Sequence, residues 1–271
     1  VAKAPQKPKL GQHFLVDPTA CRAIADALGD LSQQTVVEIG PGSGAITGIL
    51  AHRARQLTAI ELDRDLASRL RAEFAGQPSV RVIEADVLTV DLDALRSGHE
   101  RLFILGNLPY YITSDILLRL FRFHRSIARA VVMMQREVAD RIAATPGTRD
   151  YGMLSVTAQL YARIERILTL PPQAFMPPPE VSSSVLRLTM QPRFEELGIT
   201  DPDRFTAFLR LCFAQKRKTL AKNLRAAGLQ RDIVIGAMER AGVGELARAE
   251  ELELTSLARL WKEWASLSPA P

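Results

Sequence analysis

The feature that most constrains this chain is the alternation of short apolar runs with helix-length segments. TVVEI (35–39) is a buried strand that enters a glycine turn, GPGSG, at once. Helical spacing follows over 45–55, a second strand over 57–60 ends at Glu61, and 64–74 is helical again. A third strand spans 80–84, with Asp86 just beyond it, and a fourth spans 102–105 and ends in GNLPYY. A helix over 114–123, with Ser114 as its cap, leads to a fifth strand over 130–134. Strands that alternate with helices in this way make right-handed βαβ units and a parallel sheet. Two further strands, 164–168 and 185–190, flank the proline-rich PPQAFMPPPEV (171–181) and are expected as an antiparallel hairpin at the sheet edge.

After Gln191-Pro192 the strand signal stops. Helical spacing runs over 203–227, 231–241 and 255–264, with Phe205, Phe208, Leu209, Cys212, Leu220 and Leu224 forming one apolar stripe. The expected division is therefore 1–190, a catalytic α/β domain whose first 34 residues are an N-terminal segment and helix, and 191–271, a small helical domain.

With 47% hydrophobic and 24% charged residues, wholesale disorder is excluded. No apolar run reaches about 18 residues, so no membrane span is expected. The only cysteines, Cys21 and Cys212, cannot make a disulfide scaffold, which favours a reducing compartment. VAKAPQKPKLGQHF lacks the apolar centre of a secretory signal. The net charge of +5 is unevenly spread. Three acid-free segments hold Lys3, Lys7 and Lys9; then Arg119, Arg122, Arg125, Arg129 and Arg136; then Arg210, Lys216, Arg217, Lys218, Lys222 and Arg225. With 14 basic residues there, the remainder carries 21 basic against 30 acidic residues, a net of −9. Concentrated positive charge on an acidic body suits a polyanion, although any one patch also fits a solvated helix face.

Three groups of residues carry chemistry. In EIGPGSG (38–44), glycines after a strand let the backbone approach a ligand closely at a helix N-terminus. With Glu61 at the end of the next strand, the pattern fits a nucleotide-type cofactor bound through ribose, and a dinucleotide satisfies it too. Asp86 fits an acceptor for an adenine amine, and equally an Asx turn. The decisive group is Asn107-Leu108-Pro109-Tyr110. An amine conjugated to a purine is a poor nucleophile because its lone pair is delocalised. The Asn107 side-chain carbonyl and the Leu108 or Pro109 backbone carbonyl can accept its two N–H bonds and so favour a pyramidal nitrogen. Tyr110 offers a face for a base taken out of its helix, and Pro109 fixes the turn.

On these residues the chain resembles the class I, Rossmann-like methyltransferases that use S-adenosylmethionine. More narrowly, it resembles the bacterial ribosomal RNA small-subunit adenine N6,N6-dimethyltransferase family, of the kasugamycin-sensitivity type. GQHFLVD (11–17) is similar to that family's cofactor-covering segment, QAFMPPPEVSSSV (173–185) to its F-x-P-x-P-x-V element, and FAQKRKTLAKNL (213–224) to its basic signature. The resemblance implies a mostly parallel seven-stranded sheet and a helical RNA-binding domain. It implies that S-adenosylmethionine is held by His13 and Leu15, Gly40 and Gly42, Glu61 at the ribose, Asp86 at the adenine amine, and Asn107. Many members have asparagine where this chain has His13. It further implies that Tyr110 and Phe175 sandwich the target base, with Asn107 and Pro109 shaping the amine site. The expected phosphate contacts are Lys216, Arg217, Lys218 and Lys222.

The reaction that the resemblance implies is dimethylation of two adjacent adenosines near the 3′ end of 16S ribosomal RNA in the small subunit; the residues alone give only methylation of an amine on a nucleic acid. A monomer in the cytoplasm is expected to carry it out, with no metal. A large-subunit, resistance-type methyltransferase, an RNA-binding assembly factor and a nicotinamide oxidoreductase are the alternatives.

Overall fold

The computed structural model describes residues 12–267 except 227 and 229. They form two compact units. One takes the chain up to Ala139 together with Ile164–Met190; the other takes Asp140–Arg163 and the chain from Gln191 onward. One boundary falls between 190 and 191, as expected, but residues 140–163 group with the helical part and not with the α/β part. Packing is the reason, since Tyr151, Val156 and Leu160 share a buried core with Phe205, Phe208 and Trp261. Within it the Tyr151 hydroxyl donates to the Leu252 carbonyl at 3.1 Å.

The main sheet has seven strands, all in the first unit but for residues 162–163: β1 (Thr35–Ile39), β2 (Gln56–Glu61), β3 (Val80–Glu84), β4 (Leu102–Asn107), β5 (Ile127–Gln135), β6 (Ala162–Leu170) and β7 (Ser183–Met190). Their spatial order is β3-β2-β1-β4-β5-β7-β6. The first five run parallel, and β7 pairs antiparallel with β5, Gln135 opposite Ser183. The sheet is therefore the expected one: parallel through five strands, with the two late strands at one edge. Every residue of β1 is buried, as befits a strand in the middle of a covered sheet.

Helices α1 (Pro18–Asp26), α2 (Thr47–Ala51), α3 (Arg64–Glu73) and α4 (Thr113–Arg122) belong to this unit. Asp17 caps α1 through Thr19 N and Ala20 N, with Pro18 in the first turn. Asp63 caps α3 through Asp65 N and Leu66 N. Ser114 does not cap α4. The helix starts at Thr113, whose hydroxyl donates back to the Pro109 carbonyl at 2.9 Å, because a short 3₁₀ turn (Tyr110–Ile112) precedes it.

Helix α5 (Arg136–Ile142) spans the boundary between the units, and the second unit continues with α6 (Met153–Tyr161), α7 (Phe194–Leu197), α8 (Pro202–Cys212), α9 (Leu220–Arg225), α10 (Arg231–Arg240) and α11 (Leu254–Leu267). The single helix expected over 203–227 is two. Asn223 Nδ2 donates to the Cys212 carbonyl at 2.7 Å and to the Gln215 carbonyl at 3.2 Å, satisfying acceptors that the end of α8 leaves open. Thr219 then caps α9 by accepting from Lys222 N. The apolar stripe survives the break, because Cys212, Leu220 and Leu224 are all buried in one core.

Candidate active site at the strand ends

The sheet order reverses between β1 and β4, and a cavity of about 260 Å³ opens beyond the carboxyl ends of β1, β2, β3 and β4. The register brings those ends level: Ile39 lies opposite Ile60 and Gly106, and Glu61 opposite Glu84. Of the residues singled out by sequence, His13, Leu15, Gly40, Gly42, Glu61, Asp86, Asn107, Pro109 and Tyr110 all line this cavity.

The glycine turn approaches its surroundings too closely for side chains. Gly42 has φ +59°, and a Cβ there would meet Phe14 Cδ1 at 2.8 Å. Its N–H donates to Glu61 Oε2 at 3.1 Å, while Asp63 N donates to Oε1 at 2.9 Å. The Glu61 carboxylate is thereby aimed by the loop on one side and the start of α3 on the other. It is 3% exposed. Asp86 Oδ1 accepts from Leu88 N at 2.8 Å, so the Asx turn is present; its residue still lines the cavity. The two readings of Asp86 are compatible, because the turn engages only one oxygen.

Asn107 ends β4. Its Nδ2 donates to the His13 carbonyl at 3.1 Å. A carbonyl can only accept, so the amide nitrogen is committed to that side and Oδ1 is left as the free acceptor. The Pro109 carbonyl already accepts from Ile112 N at 3.2 Å and from Thr113 Oγ1 at 2.9 Å. No described residue donates to the Leu108 carbonyl. Tyr110 is held from two directions: its hydroxyl is 2.9 Å from Ser183 Oγ, and its ring stacks on His13 with centroids 5.8 Å apart. Burial pushes its phenol up. His13 Nδ1–H donates to the Pro177 carbonyl at 2.8 Å, so residues 13–15 lie across NLPY and against the FMPPP segment.

Phe175 does not join this group. It is 2% exposed, lies opposite Leu15 in a two-residue antiparallel ladder, packs in the core and is absent from the cavity lining. The alternation of an extended strand explains it: Phe175 turns inward and Met176, 57% exposed, turns outward.

Glu38, an acid inside the apolar run TVVEI, joins the site without having been expected there. It lines the cavity, is 2% exposed, and its Oε2 has no hydrogen-bond partner; Thr47 Oγ1 has none either. Burial pushes its carboxyl up to about 7, with the charge of Glu61 adding to the rise. Tyr111, the second tyrosine of GNLPYY, lines the cavity too.

The basic segments fare unevenly. Lys3, Lys7 and Lys9 lie outside the described residues. In the second segment Arg129 is turned inward, donating to the Leu28 carbonyl at 2.6 Å and lying over Phe103, and Arg119 donates to the Val90 carbonyl; Arg122, Arg125 and Arg136 are exposed. In the helical unit Lys216, Arg217, Lys218 and Lys222 are all exposed, and the Lys216 ammonium donates to the Arg149 carbonyl.

Residues 4–266 match the family described as ribosomal RNA adenine dimethylase. A protein of Acidobacterium capsulatum named ribosomal RNA small subunit methyltransferase A is 64% identical over 94% of this chain and 90% of its own length. One of Koribacter versatilis with the same name is 51% identical over 97% and 95%. Among solved structures, a dimethyladenosine transferase from Plasmodium falciparum matches 94% of this chain and 98% of its own at 24% identity, TM-score 0.79, a likeness of fold. The 23S rRNA methyltransferase ErmE matches 92% and 98% at 29% identity, TM-score 0.70.

Proposed function

This chain belongs to the ribosomal RNA adenine dimethylase family, and from that premise we propose that it dimethylates N6 of two adjacent adenosines near the 3′ end of 16S ribosomal RNA. S-adenosylmethionine is the donor. The observation that carries the reading is the end of β4: a free Asn107 Oδ1, oriented through Nδ2, beside a Leu108 carbonyl that no described residue occupies.

The residues present fit the donor. Gly40 and Gly42 line the cavity on a positive-φ turn packed against Asn107 and Phe14, Glu61 is aimed as a paired acceptor for the ribose hydroxyls, Asp86 keeps an oxygen for the adenine amine, and His13 and Leu15 cover the cavity from the N-terminal side. The buried, unpartnered Glu38 Oε2 adds an acceptor on the same wall. When bound, S-adenosylmethionine supplies a methyl group on a sulfonium, already a strong electrophile. The chain's own contribution is positioning and electrostatics.

Asn107 Oδ1 and the Leu108 carbonyl accept the two N–H bonds of the target amine. Those bonds favour a pyramidal nitrogen and release its lone pair from the ring. The Pro109 carbonyl, spent on Ile112 and Thr113, is not the second acceptor; Pro109 serves the turn. Tyr110, fixed by Ser183 and His13, stacks one face of the extruded base. The alkylated amine is acidic and loses its proton without a dedicated base. Lys216, Arg217, Lys218 and Lys222 contact phosphate. The partner is 16S RNA in the small subunit and the enzyme acts as a monomer in the cytoplasm; no described helix is long and apolar enough to cross a membrane.

The test is methylation of purified small subunits and of naked large-subunit RNA in parallel, with Asn107→Ala as control. Label in two neighbouring adenosines of 16S RNA, lost in Asn107→Ala while subunit binding persists, is the expected result. Label only in large-subunit RNA would overturn the choice of substrate. Normal subunit maturation with Asn107→Ala would favour an assembly factor over an enzyme.

A further inference from the structure

Tyr111 is the aromatic of the NLPYY turn that this chemistry leaves unused. It lines the cavity and is 64% exposed, whereas Tyr110 beside it is half-buried and tied to Ser183 and His13. Phe175, the other aromatic expected at the base, is in the core. Exposure of an aromatic ring this large at a cavity mouth forgoes the apolar burial that such side chains ordinarily gain.

Its backbone is held firmly. Ile112 N and Thr113 Oγ1 converge on the Pro109 carbonyl, and α4 begins two residues on. Tyr111 is therefore an exposed ring on a fixed turn, directly beside the residue that receives the target base. Extruding one base from a stacked strand uncovers a face of its neighbour, and an uncovered base face calls for a flat apolar partner.

We infer that Tyr111 stacks on the nucleobase adjacent to the target adenine, forming a second base subsite outside the pocket for the target itself. The inference rests on the proposed function, in which the substrate is an adenine within RNA. Stacking reads a π-face and not a base edge, so this subsite tolerates any base at that position. Its contribution falls on RNA binding and leaves the donor site and the transfer step alone.

The experiment compares Tyr111→Ala, Tyr111→Leu and Tyr111→Phe with wild type on the RNA substrate that the wild type methylates. The expected result for Tyr111→Ala is a KM for RNA raised about tenfold, as for loss of one base–aromatic stack. Its kcat and its affinity for S-adenosylmethionine stay at wild-type values. Tyr111→Phe restores the KM and Tyr111→Leu does not. The slope of log affinity against log salt stays constant, because no phosphate contact is removed. A wild-type KM in Tyr111→Ala, rescue by leucine as complete as by phenylalanine, or a shallower salt slope would each overturn the subsite. Loss of donor affinity in Tyr111→Ala would place the ring over the donor and overturn it too. If the wild-type protein methylates no RNA, the underlying reading fails and the subsite falls with it.

Discussion

Replacing Glu38 by glutamine should abolish a pH-dependent loss of stability that the wild-type fold carries. Glu38 sits in the central strand, is 2% exposed, has one oxygen without a partner and shares the cavity with Glu61. Burial, reinforced by Glu61, pushes its carboxyl from 4.5 to about 7. The neutral form is therefore favoured in the fold. The stability it contributes is complete below pH 4.5 and is lost as pH rises through about 7. At about 1.36 kcal/mol per pH unit, the full loss is about 3 kcal/mol, of which about 2 kcal/mol falls between about pH 5.5 and 8.5. That is a large share of the ~5–15 kcal/mol that holds a typical domain together.

The assay is urea unfolding of wild type and Glu38→Gln at those two pH values, followed by circular dichroism. Tryptophan fluorescence would report on the wrong unit, since Trp261 and Trp264 both lie in the helical one. Subtracting the variant cancels every other titrating group. Glu38→Gln should gain about 2 kcal/mol on wild type between the lower and the higher pH. A difference that stays constant across that range would refute the reasoning and place Glu38 ionised throughout.

Three further outcomes are expected. Gly42→Ala must put a side chain at φ +59° and 2.8 Å from Phe14 Cδ1, so it should cost about 1–2 kcal/mol and weaken S-adenosylmethionine binding, read by melting and calorimetry. Asn223→Ala strips a donor from the Cys212 and Gln215 carbonyls; it should destabilise the helical unit by about 2 kcal/mol, visible in tryptophan fluorescence, without changing donor affinity. Lys218→Ala should reduce the salt slope of RNA binding by about 1, and Lys216→Ala by less, because the Lys216 ammonium already donates to the Arg149 carbonyl.

The legible parts of this protein are those set by local pattern. Strand β1 with its glycine turn, Glu61, Asp86 and NLPY could be read because each sits at the end of an apolar run, and parallel strands end on the same side of a sheet. Parts that depend on distant neighbours could not. The 203–227 stripe reads as one helix because helical spacing persists across the break, and only the Asn223 amide, folded back on Cys212, reveals two. Arg129 reads as a member of a basic patch until the Leu28 carbonyl, 101 positions away, claims it.

The amino-acid sequence by itself determined the sheet and the amine motif, because hydrophobic period, glycine placement and a short run of acceptors act over a few residues; the family followed from the resemblance of its motifs. Tertiary structure alone decided which aromatic faces water and which faces the core, and that residues 140–163 belong with the helices. Each of those outcomes is a competition for one hydrogen bond or one buried surface between segments far apart in the chain, and only the folded chain resolves such a competition.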